Sequence, residues 1–352
     1  MTADPNLDAA VTAGQLKRAA AALGLGEPAY ARALELAGLS PDARAWTRGA
    51  DRLLLAFGVM AVLAGIAAFF AYNWAGLHKF AKFGSIEAGI VAAVAVTAWR
   101  GIDSAAGRGA LFAAAFLVGI LFTIYGQVYQ TGADPYGLFM AWAILIAAWV
   151  VIGRQAGLWM LLLILVDLSV ILYWTQVLRP DSLAQLGQLL GPLAGLFGAV
   201  TDGALASLVF ILNAGALAVW EWFARRGVAW MQGRWWPRIV ALLTLIVIVS
   251  GSLFYIFDIR FGVRDSWLIV SGPVSFVAFA AASLWYYQFR QIDLFTLTAT
   301  LLGGIVVITA TLARGMSWSG PGDALVLALL VIAQTAGAAY WVRRVAERSR
   351  EA

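Results

Sequence analysis

Gly109–Tyr129 reads GALFAAAFLVGILFTIYGQVY, a run without one charged side chain. A helix rises 1.5 Å per residue, so about 20 such residues span a hydrocarbon core roughly 30 Å thick, with every backbone group bonded inside the segment. Nine further runs have this character, near 53–73, 83–99, 136–152, 156–174, 204–223, 238–257, 267–287, 293–312 and 323–342. The whole composition agrees. Of 352 residues, 62% are hydrophobic and 12% charged, against about 25% charged in a soluble domain. The 24 basic and 19 acidic side chains are too few to cover one or two water-soluble cores. The expected fold is all-α, a polytopic transmembrane helix bundle of about ten spans.

Orientation follows from Lys and Arg, which stay on the cytoplasmic side of short loops. With ten spans, eighteen basic residues fall on the side of the two termini and six on the other. Both termini are therefore expected in the cytoplasm. The segment 185–203 is apolar but broken by Gly187, Gly191, Pro192, Gly195 and Gly198. Counting it as an eleventh span makes the split twelve against twelve and removes the bias, so it is read as re-entrant or interfacial. The resulting organisation is a cytoplasmic helical segment over 1–50, a five-span bundle over 51–175, an outer connector over 176–203, a second five-span bundle over 204–342 and a basic tail over 343–352.

Several functions are disfavoured at this stage. There is no cysteine and one histidine, His78, so thiol redox chemistry and the common zinc ligand sets are missing. No metal site and no cofactor are expected. The net charge of +5 lies mostly in short loops beside apolar runs, where it sets topology, and nucleic acid is not an expected partner. The apolar runs begin near Leu53 after fifty mixed residues, so the first span is expected to serve as the insertion signal. In that tail, Asp8–Leu23 and Glu27–Leu39 have helical spacing, and Ser40-Pro41-Asp42 is an N-cap signal for a third helix running into the membrane. Six basic and six acidic residues balance there, so the tail reads as a solvated lead-in or a docking module.

Eight of the sixteen tryptophans fall near span ends, namely Trp74, Trp99, Trp174, Trp220, Trp222, Trp267, Trp285 and Trp341, where an indole suits the headgroup boundary. Two of these ends are polar as well as aromatic. The first span closes on Tyr72-Asn73-Trp74, and the third on Tyr125-Gly126-Gln127-Val128-Tyr129-Gln130, followed by Asp134-Pro135-Tyr136. Both lie on the outer face in this topology. Asn73, Trp74, Gln127, Tyr129, Gln130 and Asp134 are the candidates for an outward-facing pocket, against the plainer reading of interfacial helix ends.

The helical tail, the glycine-rich first span ending in Asn73-Trp74, and Gly126-Gln127-x-Tyr129-Gln130 followed by Trp142 resemble a family of bacterial predicted membrane proteins, domain of unknown function 2157. The resemblance is clearest over 40–175. It implies a multi-pass protein of the bacterial inner membrane and names no reaction.

Inside the spans, Asp167 lies about 16 Å from its helix end, near the bilayer centre. A carboxylate there costs roughly 2.5–3.5 kcal/mol on insertion scales, so it needs a partner, a wet cavity or a proton. Asn213 and Gln334 fall at similar depths, about 14 and 18 Å. Together they form a candidate midplane polar cluster, able to hold a proton or cation in a coupled transporter, or to glue helices by hydrogen bonds. Glu87 and Glu221 stand near span ends, where each can reach the interface. No catalytic constellation is recognisable. The expected function is a non-enzymatic inner-membrane component acting with membrane or envelope partners. The alternative is a proton- or cation-coupled secondary transporter using Asp167, and a weaker one is an intramembrane enzyme on lipid-linked substrates. Beyond the lipid bilayer and a membrane-protein partner, the sequence identifies no small-molecule or ion substrate.

Overall fold

A computed structural model of the chain describes residues 13–37, 43–73, 76, 78–129, 134–178, 203–257, 266–318 and 320–351. These form twelve α-helices and no strand. They are α1 (Ala13–Ala22), α2 (Glu27–Leu36), α3 (Ala43–Asn73), α4 (Lys79–Arg100), α5 (Ala105–Tyr129), α6 (Pro135–Gly153), α7 (Ala156–Tyr173), α8 (Gly203–Arg225), α9 (Trp235–Ile256), α10 (Ser266–Phe289), α11 (Leu294–Gly315) and α12 (Pro321–Glu351). A π turn, Trp174–Leu178, follows α7, and a 3-10 turn, Ala229–Met231, precedes α9. All ten apolar runs are helical. Nine of the helices are long and apolar enough to cross a membrane. The remaining run lies in α10, a helix of 24 residues with Pro273 inside it.

The third tail helix does continue into the first span, since α3 is unbroken over 31 residues. Its expected N-cap, 40–42, lies outside the described residues, as do the segment 185–202 and nearly all of the connector. The chain divides into two compact units, Met1–Met60 with Gly337–Ala352, and Ala61–Ala336. In the first unit, α1 and α2 are joined by a turn in which Gly24 takes φ of +63°. Exposed pairs link Arg32 to Glu35 and Arg343 to Glu347, each worth little in water.

The larger unit has two main packing centres. In one, Leu111 and Ala115 of α5, Trp142 and Ile146 of α6, and Leu158 and Leu165 of α7 pack together. Trp142 decides how closely α5 and α6 approach. Its ring lies flat over Gly119, where any β-carbon would collide with it, and its Nε1 donates to the Ala115 carbonyl at 2.7 Å. The second centre joins α8, α9 and α10 through Leu217, Trp220, Trp236, Leu245, Ile248 and Phe276. There α9 and α10 cross at Gly251 and Gly272, the latter so close that a β-carbon would sit 2.5 Å from the Gly251 carbonyl carbon. Small residues of this kind let membrane helices pack backbone to backbone.

One expectation about tryptophan needs correction. Trp220 is not an interfacial anchor: it is 2% exposed, stacks on Trp236 at 4.1 Å between centroids, and donates Nε1 to the Met231 carbonyl at 3.1 Å. Position near a span end sets depth, while the helical face sets whether a ring meets lipid or protein. Trp99, Trp222 and Trp285 are exposed as expected.

Candidate functional sites

Three sites emerge in the larger unit. At mid-helix, Asn213 of α8 donates Nδ2 to both oxygens of Asp167 on α7, at 3.1 and 3.0 Å. The same Nδ2 reaches the Val209 carbonyl at 3.0 Å. That third acceptor fixes the amide orientation, because an oxygen placed there would face a carbonyl. Asn213 Oδ1 is then buried without a hydrogen-bond partner among the described residues. Asp167 is half-buried and Asn213 buried. Gln334 does not join them. Its Nε2 donates instead to Thr309 Oγ1 of α11 at 3.4 Å, because equal depth does not imply a shared helix face. The midplane cluster is a pair.

The polar and aromatic motif at the end of α5 is placed in part. Tyr125 and Tyr129 lie 4.9 Å apart and meet Phe83 of α4 at 6.5 and 5.9 Å. These rings line a groove of about 600 Å³ with Phe80 and Glu87. Glu87 and Gln127 are exposed. Asp134 is the exposed N-cap residue of α6 with Pro135 following, and its carboxylate makes no capping bond. Asn73 is the last residue of α3. Trp74 and Gln130 lie outside the described residues, and so the expected meeting of the two motifs does too.

A third site went unrecognised in the sequence. Glu221 does not reach out to the interface: it is 4% exposed, and its carboxylate accepts from Tyr287 at 2.9 Å, Tyr286 at 3.3 Å and Arg234 Nη1 at 2.9 Å. The Arg234 Nε donates at 3.0 Å to Asp293, which is 2% exposed and also accepts from Arg238 Nε at 3.0 Å. Asp293 caps α11 as well, taking the Thr296 amide at 3.1 Å. One guanidinium thus bridges two buried carboxylates and ties the ends of α8, α9, α10 and α11 at one level. Arg has a planar fork able to do this, unlike a lysine point charge.

The charge balance follows from these contacts. Burial pushes the Asp293 carboxyl up, but the Thr296 amide and the two guanidiniums outweigh it and hold the group below its ordinary value. Burial likewise disfavours the Arg234 charge, and Glu221 with Asp293 more than restores it, leaving its pKa raised. Two of the arginines counted as loop charges are therefore partners of buried carboxylates. The signal available was Glu221 itself, an acid inside the end of an apolar run, where an unpartnered charge is costly. Among the described residues, no group of three or more His, Asp or Glu is arranged to hold a metal ion.

Residues 24–159, from the start of α2 to the first turn of α7, match the family model described as "Predicted membrane protein (DUF2157)". Over those residues the chain is similar to that family. The DUF2157 match takes in Gly119, Trp142, the Tyr125–Tyr129 motif and Asp134, and it stops short of Asp167, Asn213 and the Arg234 network. No curated protein and no solved structure matches the chain.

Proposed function

We propose that this multi-pass protein is a non-enzymatic component of the bacterial inner membrane, working with other membrane or envelope proteins, with both termini in the cytoplasm. The supporting observation is the first half of α12, where Leu325, Val326, Leu329 and Ile332 are 62, 51, 56 and 63% exposed. Ala324 and Ala328, one turn apart, leave room there for close helix approach. Extraction from native membranes in mild detergent tests this. A defined hetero-complex that Ala328→Leu dissociates is the expected result. A lone monodisperse subunit at native expression refutes the reading.

A second reading, proton- or cation-coupled transport, is favoured by the Asp167–Asn213 contact. A half-buried carboxylate whose amide partner keeps an unused oxygen offers oxygen ligands to a proton or cation at bilayer depth. In reconstituted vesicles, Asp167→Asn then abolishes pH- or cation-dependent flux. Flux equal to wild type removes Asp167 from any such mechanism.

A further inference from the structure

Between α8 and α10 runs an open groove of about 440 Å³, within the size range of small-ligand pockets. Its floor is apolar, made by Phe210, Leu217 and Phe279, and alanines at 214, 218, 278 and 282 create the space. One end is different. There the lining residues are Trp222, Arg225, Trp285 and Tyr286. Arg225 lines that end and lies over Tyr286 at 6.0 Å, while Arg226 and Arg290, outside the lining, lie over two of its rings, Trp222 at 3.6 Å and Trp285 at 5.4 Å. All three are exposed, and none forms an ion pair with a carboxylate among the described residues. The one acid of the lining, Glu221, is already held by Arg234 and two tyrosines.

We infer that this groove is a binding site for an anionic phospholipid, with one acyl chain lying along the alanine-lined floor and the phosphate held by Arg225, Arg226 and Arg290. The apolar floor suits a hydrocarbon chain in its chemistry. The rim supplies positive charge at the level where α8 and α10 end, and basic side chains at such a boundary attract anionic headgroups. The aromatic rings hold the guanidiniums in place and leave their N–H edges available for phosphate oxygens. Glu221 would repel an anion if unpaired, and its burial against Arg234 removes that obstacle.

The test is native mass spectrometry of the detergent-solubilised full chain, titrated with phosphatidylglycerol and with phosphatidylcholine. Wild type is expected to retain phosphatidylglycerol in preference, at one saturable site. If each arginine contributes about a fivefold gain, Arg225→Gln/Arg226→Gln/Arg290→Gln weakens that binding on the order of a hundredfold. A second variant, Ala218→Leu/Ala282→Leu, fills the groove and keeps the arginines, and it is expected to lose the saturable site too. Should the triple variant not fold, Arg290→Gln alone is read for its fivefold loss. Equal retention of the two lipids by wild type, unchanged binding in the filled groove, or full displacement of the lipid by inorganic phosphate overturns the assignment.

Discussion

Replacing Arg234 with alanine is expected to destabilise the protein by about 3–5 kcal/mol, the usual cost of breaking a buried ion pair from one side. The change leaves Glu221 with two tyrosine donors but no cation and Asp293 with Arg238 and the Thr296 amide, their side chains 6% and 1% exposed, and it cuts the link between the ends of α8 and α10 and those of α9 and α11. Arg234→Lys is expected to rescue only in part, because one ammonium cannot donate in parallel to Glu221 and Asp293. Thermal unfolding in detergent measures both. The pH dependence separates electrostatic loss from a packing defect. In wild type, Asp293 is held below its ordinary value of 3.8, so its contribution is complete above that pH and is lost as pH falls through the depressed folded value. In Arg234→Ala, Asp293 loses one of the two guanidiniums that hold its carboxyl down, so the deficit is largest at neutral pH and shrinks as pH falls toward 4. A deficit that does not vary with pH points to packing instead.

The second large effect is expected at Gly272. A side chain there meets the backbone of α9, which has no rotamer to yield, so Gly272→Val forces α9 and α10 apart. Overpacking typically costs 1–3 kcal/mol, and Gly272→Val is placed at roughly 3 kcal/mol because the clash is with main chain. Gly251 is the internal control. A β-carbon there would lie 3.4 Å from the Gly272 Cα, an ordinary contact, so Gly251→Ala is expected to be nearly neutral. Two unfolding midpoints decide the matter: equal shifts for both variants contradict the asymmetric crossing.

These effects show which features were legible beforehand. The spans were, because a spanning backbone must be satisfied within a helix or a closed barrel, and uninterrupted apolar runs of about 20 residues fit only the helix across a bilayer. Asp167 and Asn213 were legible as members of one three-residue midplane cluster, since a midplane carboxylate calls for a partner, a wet cavity or a proton and few polar residues share its depth. Gln334 was grouped with them by depth alone. Its bond to Thr309 depends on rotation about the helix axis, which hydrophobic runs this uniform do not encode. Trp220 was misplaced for the same reason. The Arg234 network was hidden differently. Its members are 13, 55 and 59 residues apart in pairs, and in sequence Arg234 and Arg238 look like ordinary topology charges. Only the return of α10 and α11 to the same level brings Tyr287 and Asp293 against them.

Sidedness is the property on which the proposed function and the orientation of the arginine-rimmed groove both depend, and the chain has no native cysteine. Single cysteines at His78, Gln232, Ser317 and Glu347 can be probed with a membrane-impermeant maleimide in intact cells, then again after permeabilisation. His78→Cys and Ser317→Cys are expected to react from outside, and Gln232→Cys and Glu347→Cys only once the membrane is opened. Labelling of Glu347→Cys from outside, or of Gln232→Cys and Glu347→Cys from opposite sides, contradicts the assigned topology.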